Sequence, residues 1–203
     1  MTVPITDGRK LRAMKNRKAI LDAAREIFLE KGFVNNSMLE ISQRAGVGYG
    51  TIYTHFRGKD DILRHLIDEI MEDLEKLVTP FVPSGRDQIK EKHEKDLRHI
   101  LNVALKNRPI LKVAFQAYGH SELIQNYWDE LFGRYLKIAE NYLREAQNMG
   151  LIRPEYDISI VSSCIVFTIK EFFWNVVLGR EIDFDKVCSN VPAIFMHGLY
   201  RKD

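Results

Sequence analysis

The stretch GVGYGTIYTHF, Gly46 to Phe56, sets three glycines on alternate positions around Tyr49, followed by Thr51, Tyr53, Thr54 and His55. Two chemistries compete for it. One is a loop that cradles a nucleotide phosphate. The other is a short helix pressed against a surface too close for large side chains. A dinucleotide loop needs G-x-G-x-x-G between a strand and a helix, and a P-loop needs Gly-Lys-Ser/Thr. Here the spacing is G-x-G-x-G, the preceding SMLEISQRA reads as helix, and no Gly-Lys-Ser/Thr comes after it. The residues therefore favour a helix–turn–helix, with Ser37–Ala45 as first helix, Gly46–Val47 as turn and Gly48–Phe56 as recognition helix. Each interior glycine costs a helix about 1 kcal/mol relative to alanine. Gly48 and Gly50 make sense if this turn approaches the floor of the DNA major groove, with Tyr49 at the bases. Thr51, Tyr53, Thr54 and His55 carry hydroxyl or imidazole groups suited to phosphate oxygens. Ile52 and Phe56, four apart, give the same helix an inward face. Lys59 is odd, because a cation at a helix N-terminus opposes the macrodipole. A phosphate lying against the amides would explain it.

The elements that must hold these groups are helical. Residues 1–13 read as a basic, disordered arm with Arg9, Lys10 and Arg12. Helical spacing begins near Lys15, with Ile20, Ala24, Ile27 and Phe28 on one face. Gly32 followed by Phe33 reads as a left-handed C-cap with its apolar follower. SMLE is a capping box of Ser37 and Glu40, and Met38, Ile41 and Ala45 point inward. A fourth helix from Gly58 or Lys59 carries the stripe Ile62, Leu66, Ile70, Leu74 and Leu77. TPFVPSGR, with Pro80 and Pro83, breaks it. Further helices are expected at about 87–106, 109–118, 121–149, 157–178 and 184–200. Pro109 suits a first turn, Ser121 an N-cap, Gly150 and Gly179 C-caps, and Pro192 is expected to kink or split the last helix. The class is all-α, in two domains: 1–60 as the helix–turn–helix head and 61–203 as a helical body.

The run RKAILDAAREIFLEKGFVNNSMLEISQRAGVGYGTIYTHFRGKDDIL, Arg17–Leu63, resembles the DNA-binding domain of the TetR (tetracycline repressor) family of bacterial transcription regulators. The landmarks are AxxxF, EKGF, ExSxxAGV, GTIYxHF and the Lys before an acidic pair. The resemblance implies phosphate contacts from Ser37, Thr51, Tyr53, His55 and Lys59, and base-facing positions at Gly48, Tyr49 and Gly50. The chain departs from the family at Gly48, where Ser or Thr is frequent, at Ser42, where Ala is usual, and at Gly58, where a polar cap is usual. For the body the resemblance implies helices around a ligand cavity and a dimer interface made by the last two helices.

Charge and composition fit that division. The first 60 residues carry 11 Lys/Arg against 6 Asp/Glu, and the remaining 143 carry 19 against 22. A basic head on a mildly acidic body is the electrostatic pattern of a nucleic-acid binder. Cys164 and Cys188, both in apolar surroundings, make no disulfide framework and point to a reduced, cytoplasmic setting, with Cys164 read as core. The N-terminal stretch lacks the apolar core of a signal peptide. Ile158 to Leu178 has membrane-spanning length, but Lys170, Glu171, Asn175 and three serines interrupt it, so it reads as a buried helix and no membrane partner is expected. Apolar nearly all round, it needs cover on several sides, and a second copy supplies some. The aromatic body offers Phe115, Tyr118, Trp128, Phe132, Tyr135, Phe167 and Trp174 as candidate pocket residues, with Lys170 and Glu171 as its polar groups. No metal spacing, cofactor motif or nucleophile–base set is legible; His93 and His99 are six apart and share no helix face. The expectation is a homodimeric, non-enzymatic repressor of a palindromic double-stranded operator, released by an apolar or amphipathic effector. The body's resemblance to members responding to fatty acyl-CoA names one such effector. Two rivals are a regulator controlled by a protein partner and a helical enzyme or carrier with an incidental N-terminal bundle.

Overall fold

The computed structural model of the chain describes residues 8–75 and 86–199. Nine α-helices and no strand occur among the described residues: α1 Gly8–Lys31, α2 Met38–Ala45, α3 Tyr49–Ile52, α4 Lys59–Glu75, α5 Arg86–Lys106, α6 Arg108–Tyr118, α7 Glu122–Asn148, α8 Ile158–Leu178 and α9 Phe184–Leu199. Leu77, Pro80, Pro83 and the expected break between them lie outside the described residues, as do 1–7 and 200–203.

Local chemistry sets most boundaries. Ser37 Oγ accepts from the Glu40 amide at 3.3 Å while Glu40 returns a carboxylate to the Ser37 amide at 3.0 Å, which starts α2. Gly32, Gly46, Gly150 and Gly179 all adopt positive φ; at Gly46 (66°) it ends α2 and aims the chain into α3. Asp157 caps α8, and Ser121 Oγ accepts from the Ile124 amide at the start of α7. Two expectations are corrected. Helix α1 begins at Gly8 rather than near Lys15, because RKLRAMKNRKA is rich in strong helix formers and needs no apolar stripe to hold it. Helix α9 is not split at Pro192, which lies inside it.

The chain divides into two compact units. Among the described residues, one takes those up to Glu69 together with Pro109–Asn126, and the other takes those from Ile70 to Arg108 and from Tyr127 onward. The division expected at residue 60 does not coincide with these units. A three-helix head buries too little apolar surface alone; Ile62, Leu63 and Leu66 of α4 complete its core with Ile20, Ile27, Phe28, Ile41, Ile52 and Phe56, all at most 2% exposed. Helix α6 adds Ile110, Leu111, Ala114 and Ala117, and Ser121 Oγ donates to Asp60 at 3.0 Å. The second unit has a core of Ile89, Leu143, Ala146, Ile152, Ile158, Val161 and Met196.

Candidate functional site

In the first unit, α2 is fixed on α1 by Arg44, whose guanidinium donates to Glu30 at two distances of 3.0 Å and to Glu26 at 3.2 Å. Those bonds hold the Glu30 carboxyl below its ordinary range. Ser42, where a small apolar residue is usual, is buried and donates to the Leu39 carbonyl at 2.8 Å. Helix α3 spans only Tyr49–Ile52, and residues 53–55 continue as a turn, so the expected nine-residue recognition helix is shorter. Gly50 weakens it, and the Thr54 hydroxyl takes the Thr51 carbonyl at 2.7 Å, a side-chain bond that competes with helix propagation. Gly48 is the N-cap rather than an interior residue, and it brings no side-chain cap.

Ile52 and Phe56 are buried, while Tyr49, Tyr53 and Thr54 stand exposed and Thr51 and His55 half-exposed. Tyr49 and Tyr53 meet edge to face with ring centroids 5.3 Å apart and hydroxyls 3.1 Å apart. This bond raises the Tyr53 phenol above its ordinary pKa, so its hydroxyl stays a protonated donor at neutral pH. Ser37 is engaged in its capping box. Lys59 is placed differently from the expected phosphate contact. Its ammonium donates to the carbonyls of Phe33, Val34 and Asn36 at 2.9, 3.2 and 3.3 Å and lies 4.8 Å from the Phe33 ring centroid.

In the second unit, a cavity of about 600 Å³ opens among α4, α5, α7, α8 and α9. Of the expected pocket residues, Trp128, Phe132, Tyr135 and Lys170 line it. Phe115 and Tyr118 do not: they belong to the first unit and are exposed. Phe167 and Glu171 lie on the outer face of α8, in a separate groove, and Glu171 pairs with Arg180 at 3.3 Å. Trp174 packs edge-on against Trp128 at 5.0 Å without lining the cavity. Cys164, expected in the core, is exposed in the same outer groove; Cys188 is buried. No group of three metal-ligating side chains occurs among the described residues.

Sequence reasoning weighed His93 only for metal spacing and placed none of Lys92, His93, Asp96 and Tyr142 on the cavity wall, where they lie. His93 continues the buried stripe of Ile89, Leu97 and Leu101 on α5, and that register was the available signal. Its ring meets Tyr142 at 5.9 Å. Burial, outweighing Asp96, pushes the imidazole below its ordinary pKa. The unfolded chain therefore takes up this proton first as pH falls, and the stability due to neutral His93 is present above the ordinary value of 6.5 and lost below it. The wild type is expected to lose up to about 1.4 kcal/mol per pH unit relative to His93→Asn as pH falls below that value. Denaturant titrations of both proteins between pH 7 and 5 measure the difference, and His65, unchanged in both, cancels.

Comparisons place this geometry among known proteins. Residues 20–66 match the description "Bacterial regulatory proteins, tetR family". The fatty acid metabolism regulator protein of Bacillus subtilis is 27% identical over 192 residues, covering 90% of this chain and 95% of that one. An HTH-type transcriptional regulator of Staphylococcus aureus is 30% identical over 137 residues, covering 64% of this chain and 70% of that one. Among solved structures, the fatty acid degradation regulator FadR from Bacillus halodurans superposes with a TM-score of 0.68 at 21% identity, covering 92% of this chain and 97% of that one. The SmeT–triclosan complex gives 0.71 at 21% identity, covering 92% of each chain. These two structural likenesses show a shared fold.

Proposed function

Because the chain belongs to the tetR family of bacterial DNA-binding transcriptional regulators, we propose that it is a cytoplasmic, homodimeric repressor of a near-palindromic operator, released by an acyl-bearing effector. The observation that carries the DNA half is the sidedness of the 49–56 segment. Its apolar residues are buried, and its hydroxyl and imidazole groups face outward. Thr51, Tyr53, Thr54 and His55 contact phosphates, and Gly48, Tyr49 and Gly50 lie at the base edges. Ser37 presents the first turn of α2 to the backbone. One such short element reads few base pairs, and a two-fold dimer sets two of them about 34–36 Å apart along the duplex.

The effector half rests on the second unit's cavity, whose wall is mostly apolar and aromatic with a few polar groups, the pattern of a small-molecule site. A relative named for fatty acid metabolism supports an acyl chain as its occupant; fatty acyl-CoA and free fatty acid are the two forms to distinguish. Helix α4 carries residues of both units without a break. An effector that binds one state more tightly shifts the operator equilibrium through that helix.

Anisotropy titrations with the chain's own promoter fragment test the reading. Replacing Thr51 and Tyr53 with alanine is expected to lower affinity about 30-fold or more, and to flatten the salt dependence of log K by roughly 0.9 for each phosphate no longer bound. Undiminished binding would exclude this face. Failure of dodecanoate, dodecanol and dodecanoyl-CoA alike to release the fragment would exclude the acyl effector.

A further inference from the structure

The cavity wall holds a set of buried donors that the protein does not satisfy. Trp128 is 2% exposed, and its indole Nε1–H has no hydrogen-bond partner among the described residues; the Tyr135 hydroxyl, also buried, has none either. Both lie on one stripe of α7 with Phe132 between them, at i, i+4 and i+7. Lys170, facing the same cavity from α8, has its ammonium 4.7 Å from the Phe132 ring centroid, and Trp128 stacks on that ring at 5.8 Å. No carboxylate pairs with Lys170 among the described residues; its neighbours are the Phe132 and Phe167 rings.

An indole N–H and an ammonium can only donate, and burial, pushing the Tyr135 phenol above its ordinary pKa, keeps that hydroxyl a donor too. A buried donor without an acceptor is costly, and the cost vanishes when a bound group accepts. Three donors of one sense, one of them charged, ask for an anionic acceptor with at least two oxygens. The remainder of the wall restricts the body attached to that anion. The other cationic side chain on it, Lys92, is bonded to Asp96 at 2.7 Å, and no arginine lines the cavity. The phosphates of a coenzyme carrier would have little to hold them. At about 30 Å³ per water-sized unit, 600 Å³ takes roughly twenty such units, enough for a medium to long alkyl chain and its head.

Resting on the reading of this cavity as the effector site, we infer that it takes a free alkyl monocarboxylic acid, whose carboxylate accepts from Trp128 Nε1–H and the Tyr135 hydroxyl beside the Lys170 ammonium. Calorimetric titration of the full chain with dodecanoate, dodecanol and dodecanoyl-CoA tests it. Dodecanoate is expected to bind at least about tenfold more tightly than dodecanol, since charge-assisted hydrogen bonds are the stronger ones. Tyr135→Phe and Lys170→Met are each expected to weaken dodecanoate by about five- to tenfold and dodecanol by clearly less, since a neutral alcohol oxygen accepts without charge assistance; an unchanged circular dichroism spectrum shows that the variants are folded. Without ligand, Tyr135→Phe should melt at the same temperature as the wild type or higher, because it removes an unsatisfied hydroxyl. Equal binding of acid and alcohol, untouched by either variant, would overturn the carboxylate anchor and leave the acyl cavity standing. Tight dodecanoyl-CoA with no dodecanoate would overturn the free acid. Binding of none of the three would overturn both the anchor and the effector reading beneath it.

Discussion

Replacing Lys59 with methionine is expected to lower the thermal midpoint of the protein by about 5 °C and to weaken operator binding without changing its salt slope. The geometry gives both results. The ammonium is held by three carbonyls of the 33–36 turn, two of them in part-buried contacts. Hydrogen bonds to a charged group contribute about 1.5–3 kcal/mol each when buried. Lys59 is half-exposed, so the three together are worth about 2 kcal/mol, and a chain of this length loses roughly 2–4 °C per kcal/mol. The lysine opposes the dipole of α4, whose first turn it occupies, but it lies just past the C-terminus of α1, where a cation is favoured. That resolves the oddity of a lysine before Asp60 and Asp61. The residue latches the α1–α2 turn to α4, and the turn in turn sets where Ser37 starts α2. A lysine spent on phosphates instead would flatten the slope of log K against log salt by about 0.9 per protomer in the variant and leave the midpoint unmoved. Anisotropy across a salt series, with melting curves on the same preparations, separates the two roles.

Lys59 also marks where the sequence stops being readable. Short-range chemistry was legible: the Ser37–Glu40 box, the left-handed glycines and the stripe of Ile62, Leu66, Ile70 and Leu74 are each written in neighbouring residues or in helical register. The partner of a long side chain is not. Nothing in the spacing of Lys59 indicates that it reaches back 26 residues to the Phe33 carbonyl. The cavity wall was half legible for a related reason. Trp128, Phe132 and Tyr135 share a helix face by arithmetic, whereas composition alone could not separate them from Phe115 and Tyr118, which fold into another unit. The length of α3 is not readable because Ile52 and Phe56 satisfy helical spacing whether or not the backbone between them stays helical. Cys164 reads as core from the apolarity of its surroundings, yet it lies on the side of α8 that the described chain leaves uncovered.

That uncovered side supports the second large prediction. The 18-residue apolar window of α8 is only 33% buried. Ile160, Cys164, Phe167 and Glu171 recur at i, i+4, i+7 and i+11 along it, with Ile160 63% and Phe167 55% exposed. On α9, Ile194 is 68% exposed. Isolated exposed apolar residues are ordinary, but a helix apolar nearly all round, with large apolar side chains recurring on its outer face, calls for a second cover. On the proposed homodimer a like face from another copy would provide it, and under two-fold symmetry each residue of the seam would act twice. Phe167→Glu together with Ile194→Glu therefore brings four carboxylates into a dimer while altering side chains that face solvent in the single chain. Desolvating an unpaired charge costs several kcal/mol, so the dimer constant should weaken by at least about a thousandfold, and operator affinity by at least about a hundredfold once only one head can engage. The circular dichroism spectrum and melting of the isolated chain should be preserved. Sedimentation velocity at micromolar concentration distinguishes the outcomes. A double variant that still sediments as a dimer would place the association of two copies on a surface other than α8 and α9. Monomers that grip the operator as tightly as the wild type would remove the need for a paired reading head altogether.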